Sequence, residues 1–297
     1  VPDDPFPTLK PGFRHEGNAI LSPAGDTLAR VAPGERRLAW DFARLGASPE
    51  LQRMAEAEAR QWDEWTQARQ GRFGVPKNPA GLNLARWLRR FPEFAEVLAA
   101  VDLPLDLGGK TILNVGGTGQ DLVYWLGEQP GHIDHVEVSP RSQAWCARKV
   151  EAFEEQAGER VPIAFHTVPA EHLPFADGAF DFVFARSTIH HCVRPGVLDE
   201  LHRVLRPGGV LLFSEFFLND AFHALAMADR KLRRRDRGTD DPLRPREIDY
   251  CETLFEASGG RAARTYRAPL YSAFAPRFRS RRAHVWSALK VVFAGVK

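Results

Sequence analysis

Residues Thr111 to Asp121, reading TILNVGGTGQD, limit the fold more than any other stretch of this chain. Thr111 to Val115 is a short apolar, partly β-branched run of the length of a buried strand. It breaks into Gly116, Gly117, Thr118 and Gly119, and Leu122-Val-Tyr-Trp-Leu126 then resumes at helical spacing. Strand, glycine turn and helix start together let backbone approach a ligand closely and aim free N–H groups at it. A glycine cluster alone is also what any tight turn looks like, so the downstream sequence has to decide.

Downstream, strand and helix patterns alternate, which argues for βαβ units and a parallel sheet. Ile133 to Val138 reads as the second strand, and Ser139-Pro140 opens a helix running to about Phe153. Pro162 to Val168, Phe180 to Phe184 and Val210 to Ser214 read as strands three to five. Between the last two, a helix from about Pro195 ends at Arg206-Pro-Gly-Gly209, a stop signal. A helix over Leu243–Gly259 and strands at Arg264–Leu270 and Ala288–Phe293 complete the pattern.

Upstream of the glycine turn the chain is less regular. Asn18–Leu21 and Thr27–Val31 predict a small hairpin, and Ser48-Pro-Glu50 carries the cap chemistry of a helix start. That helix presents Leu51, Met54, Trp62 and Trp65 on one side. Such a face either docks as core or packs across the mouth of a pocket. Another helix spans about Leu82–Ala100, with Pro92 breaking or kinking it.

Composition excludes little but excludes it firmly. The chain has 297 residues, 44% hydrophobic and 26% charged, room for one domain of ordinary size with an appendage. Apolar runs stay far below the roughly 18 residues of a membrane span, and no secretory pattern opens the chain. Cys146, Cys192 and Cys251 are too scattered for a zinc or redox motif and fit a reducing, cytoplasmic setting. A net charge of +2 does not call for nucleic acid.

Phe180-Asp-Phe-Val-Phe184, then His190-His191, then Glu200-Leu-His-Arg-Val-Leu-Arg-Pro-Gly-Gly209 resembles class I S-adenosylmethionine-dependent methyltransferases of the small-molecule type 11 branch. The resemblance covers about Lys110 to Phe216. It implies a doubly wound, Rossmann-like α/β fold with a seven-stranded sheet of order 3-2-1-4-5-7-6. Residues 106–297 would form that domain, and 1–105 an N-terminal extension of a small hairpin and then helices covering the pocket. Segments 218–245 and 270–284 would be inserts over the substrate side.

By the same resemblance, Gly116, Gly117 and Gly119 hold the methionine part of S-adenosylmethionine. Glu137 takes the ribose diol, about 20 residues past the turn, with Val138 beside the adenine. Ala170 and Glu171 touch the adenine edge, and Arg186 and Ser187 face the reactive end. The sequence departs from the family at Asn114, where an acidic residue is usual, and Asp121 is the candidate replacement. It departs again at Pro169, Thr118 and Gln120.

Methyl transfer from an activated sulfonium asks the protein to align the acceptor, exclude water and remove a proton. His190 is the candidate base, while His191 reads as capping or packing the following helix. His166 and His172 are weaker candidates, and no metal-ligand cluster is evident. The expected acceptor is an O, N or C nucleophile of a small, possibly anionic metabolite. The rival readings are a methyltransferase-like binding protein without catalysis and a nucleic-acid methyltransferase. The second rests on Tyr271 to Arg282, which interleaves arginines with aromatics. Oligomeric state is not legible.

Overall fold

The computed structural model describes residues 6–31, 36–68, 75–221, 223–224, 228, 241–267 and 290–297. The arginine–aromatic stretch 271–282 and most of the proposed inserts lie outside them.

Five strands pair in parallel at the centre: β5 (Thr111–Val115), β6 (His132–Val136), β7 (Ile163–Thr167), β8 (Phe180–Arg186) and β9 (Leu205–Phe216). Two further strands, β10 (Arg261–Arg267) and β11 (Lys290–Val296), close one side antiparallel. Their spatial order, β7-β6-β5-β8-β9-β11-β10, is the expected one. Among the described residues the sheet nevertheless has eleven strands rather than seven. The N-terminal strands β1 (Arg14–Glu16), β2 (Ala19–Leu21), β3 (Thr27–Val31) and β4 (Arg37–Trp40) extend it, with β4 parallel to β7. The N-terminal extension, expected as a small hairpin followed by helices, thus also adds four strands to the central sheet before its helices.

Side chains alternate between two cores on opposite faces of the sheet. Leu113, Val115, Val183 and Ala185 point into one, and Ile112, Phe182 and Phe184 into the other. Trp87, Trp125 and Phe94 fill the second core around Phe184. Trp87 lies in α2 (Leu84–Arg90) and Phe94 in α3 (Pro92–Ala100). Pro92 splits the expected single helix there, because it can open a helix but cannot continue one.

Helix α1 (Pro49–Ala68) has Ser48 as its cap, accepting from the Leu51 amide at 3.2 Å. It lies against α5 (Pro140–Ala157), which follows the short α4 (Leu122–Leu126). Asp63 accepts from the Ser139 hydroxyl at 2.6 Å and the Arg141 amide at 3.2 Å. Thr66 and Ser142 hydroxyls meet at 2.8 Å. A carboxylate at the start of α5 also complements the helix dipole. These contacts fix which way the α1 face points.

β4 joins the sheet through a buried polar network. His166 on β7 receives the Trp40 indole N–H at Nδ1 (3.1 Å), and its Nε2 lies 2.7 Å from Asp134 on β6. Asp134 also accepts from the Thr8 hydroxyl at 2.7 Å. The indole contact makes Nδ1 an acceptor, so Nε2 carries the proton and donates. Burial opposes charge on Asp134, yet His132 and His166 hold its carboxyl well below the usual range. Its stabilising contribution is present above pH 3.8, the ordinary value, and is lost as pH falls below it. Replacing Asp134→Ala leaves buried donors unpaired and is expected to cost about 3–5 kcal/mol in urea unfolding. A loss under about 1 kcal/mol would mean that the network does not anchor the N-terminal strands.

Candidate functional site

The carboxyl ends of β5, β6, β7 and β8 meet α1 around a partly open cavity. The glycine turn leaves β5 at its floor, where the Gly116 amide donates to the Val136 carbonyl at 2.8 Å. Gly116 has φ +69°, and a Cβ there would overlap the Thr188 side chain. Gly117, at φ +81°, has open space where a Cβ would stand. Both positions therefore require glycine, and the second exposes backbone to the cavity.

One strand over, Glu137 follows β6 and lines the same cavity. Its Oε1 accepts from the Ser139 amide at 3.0 Å. Burial, and then the nearby Glu58, push its carboxyl up to about 7 against the pull of the surrounding amides. Glu171 is pushed up too, by burial first and by Glu58 in addition, although the Val193 amide donates to it at 2.7 Å. The described lining thus carries three carboxylates, of Glu58, Glu137 and Glu171, and no Lys or Arg.

Of the residues expected to hold the cofactor, Gly116, Gly117, Glu137, Val138, Ala170, Glu171 and Ser187 come together around this cavity. Asn114 does not line it. Its Oδ1 accepts from the Trp125 indole at 3.3 Å and its Nδ2 lies 2.9 Å from His135 Nδ1, so it braces the turn from below. Asp121 faces away, accepting from the Trp87 indole and from Arg186, each at 2.8 Å. Arg186 is thereby drawn off the cavity and lies over the Phe91 ring, 4.8 Å from its centroid. Gly119 packs against Cys146 instead of the cavity.

The two histidines divide differently from expectation. His190 is 2% exposed, and its Nδ1 sits 2.6 Å from the buried Glu215. Burial works against charge on Glu215, but His190 and the Thr188 and Ile189 amides hold its carboxyl below the usual range. His190 therefore tethers the loop after β8 and does not line the cavity. His191 does line it, with Nδ1 3.0 Å from Glu58 Oε1.

The α1 face, which the sequence left open between core and pocket mouth, lines the cavity with Leu51, Met54 and Trp62, and with Glu58, which the sequence did not single out. The amphipathic face was visible, but amphipathicity does not say whether a helix covers core or ligand. His172, a weaker candidate, reaches the Leu45 carbonyl at 2.5 Å, and His166 lies in the buried network.

Residues 113–213, about a third of the chain, match the model of the methyltransferase domain family. The demethylmenaquinone methyltransferase of Thermus thermophilus is 38% identical over 135 residues, 44% of this chain and 54% of that protein. Over residues 113–213 the chain is thus similar to methyltransferase domains. The O-methyltransferase rstn1 of Aspergillus nomiae is 35% identical over 113 residues, 37% of this chain and 48% of that protein. The matches thus span about half the length of these relatives. Geranyl diphosphate C-methyltransferase from Streptomyces coelicolor, solved with Mg2+, geranyl diphosphate and S-adenosyl-L-homocysteine, shares the fold. Its TM-score is 0.54 at 13% identity, over 84% of this chain and 98% of that one.

The cavity has residues that fit S-adenosylmethionine: a glycine turn open to it at Gly117 and a buried carboxylate one strand away. Glu137 also yields a pH prediction. Between pH 4.5, its ordinary value, and about 7, the unfolded chain has released this proton and the folded chain keeps it. Stability therefore falls as pH rises through that window. Glu137→Gln should flatten that fall, so melting curves from pH 5 to 8 should show the variant gaining on the parent. Parallel curves would mean that Glu137 is not desolvated.

Proposed function

We propose that this protein transfers the methyl group of S-adenosylmethionine to a nucleophile on a small molecule inside the cavity under α1. The observation that carries this reading is that the Gly116–Gly117 turn and Glu137 border one cavity. That pairing suits a molecule with an amino-acid tail at one end and a ribose diol in the middle. Backbone N–H groups take the tail, and an ionised carboxylate accepts from both diol hydroxyls. Val138, Ala170 and Glu171 would flank the base, and Ser187 with Thr188 would face the reactive end.

The chain supplies position and enclosure, since the donor arrives activated. Leu51, Met54 and Trp62 make the α1 side apolar, which excludes water from the transfer. The carboxylates and the lack of Lys or Arg in the described lining favour a neutral acceptor over an anionic one.

Calorimetry with S-adenosylmethionine and S-adenosylhomocysteine is the direct test. Glu137→Ala should weaken both by about 1–3 kcal/mol through lost charged hydrogen bonds. Because the ionised form of Glu137 is the one that accepts from the diol, parent affinity should rise roughly tenfold from pH 6 to 8. Absence of heat with either ligand would remove methyl transfer and leave the fold alone.

A further inference from the structure

Two imidazoles stand side by side in the loop after β8, with ring centroids 4.0 Å apart, and each has its own carboxylate. His190 with Glu215 is buried and bound to the loop backbone. His191 with Glu58 is the pair that reaches the cavity. From this we infer that His191 is the catalytic base, that Glu58 is its positioning residue, and that the acceptor presents a neutral hydroxyl. The inference rests on the methyl-transfer reading and names the acceptor chemistry within it.

Glu58 is held for this task. Its Oε1 receives the Trp62 indole N–H at 2.5 Å, one helical turn along α1, and lies 3.0 Å from His191 Nδ1. The Trp62 ring meets the His191 ring edge-on, with centroids 5.4 Å apart. The backbone holds the other side, where the His191 amide donates to the Thr188 carbonyl at 3.0 Å. With Nδ1 facing the Glu58 carboxylate at ion-pair distance, the opposite nitrogen, Nε2, receives the proton. A carboxylate beside Nδ1 steadies the imidazolium that results.

The step balances. The acceptor's O–H bond breaks and its proton goes to His191 Nε2. The oxygen electron pair forms the new O–CH3 bond, while the S–CH3 pair stays on sulfur, leaving the neutral thioether. One positive charge disappears from sulfur as one appears on His191, beside Glu58. Because the described lining holds carboxylates and no Lys or Arg, charge moves within surroundings that already favour a cation.

The titratable groups facing His191 are Glu58 from α1, His190 and Cys192 from its own loop, Glu137 after β6 and Glu171 after β7. Two readouts on the full chain with S-adenosylhomocysteine bound test the dyad without the natural acceptor. In the first, nitrogen-15 spectra follow the histidine rings against pH. Glu58→Gln should lower the His191 titration by about one pH unit, the loss of an adjacent opposite charge. An unmoved titration overturns the positioning role.

The second uses 4-nitrophenol as the hydroxyl probe, since its phenolate absorbs visible light. At pH 6 the parent complex should show phenolate above the free probe, and His191→Asn should abolish that excess. Glu58→Gln should lie between them, and all three proteins should melt cooperatively. No excess phenolate in the parent, or an undiminished excess in His191→Asn, overturns the base assignment. Failure to bind S-adenosylhomocysteine would instead strike the methyl-transfer reading itself.

Discussion

The hydrogen bond from the Gly116 amide to the Val136 carbonyl carries the pairing of β5 and β6 one residue past the end of β5. Parallel strands in register end at the same rim, so whatever follows each strand becomes a neighbour in space. Here a glycine turn follows one and Glu137 follows the other. A slip of one residue would turn Val115 and Val136 out of the first core and rotate the rim residues with them. The alternating cores on both faces make that slip costly, and so the floor of the site is fixed by burial elsewhere.

The roof depends on a different kind of contact. Helix α1 has few deeply buried side chains, and Trp62 and Trp65 are only half-buried. What sets its place are the hydrogen bonds of Asp63 and Thr66 to the start of α5. That start is itself fixed by the Ser139 cap, whose hydroxyl accepts from the Ser142 amide at 3.0 Å. Ser139 also donates its amide to Glu137, so one residue links the roof, the helix start and the carboxylate on the floor. Such a shared residue couples the cavity's two walls more tightly than apolar packing would.

How much of this was legible in the sequence follows from range. The strands, the glycine turn and Glu137 are local patterns whose geometry the chain repeats every few residues, and they appeared where expected. The β4–β7 pairing was not legible, because four short strand residues say nothing about which edge they join. Asn114 and Asp121 had the right residue type for cofactor contact but are claimed by the Trp125 and Trp87 indoles. Those tryptophans belong to the aromatic core, and a buried indole N–H must find an acceptor. Distinguishing His190 from His191 needed Glu215 and Glu58, which lie 25 and more than 100 residues away in the chain.

The carboxylates of the cavity explain one another. Burial raises the cost of charge on both Glu137 and Glu171, and Glu58 raises it further. Without a ligand this is an electrostatic expense that the fold does not repay with an Arg or Lys in the described lining. A site that holds such tension gains most from a guest that brings positive charge, and a sulfonium with an ammonium tail is such a guest. His191 adds a second relief, since protonating it pairs Glu58 in place. On the proposed methyl-transfer reading, the acidic lining would serve the charged donor before transfer and the charged imidazole after it, while the acceptor itself need carry no charge.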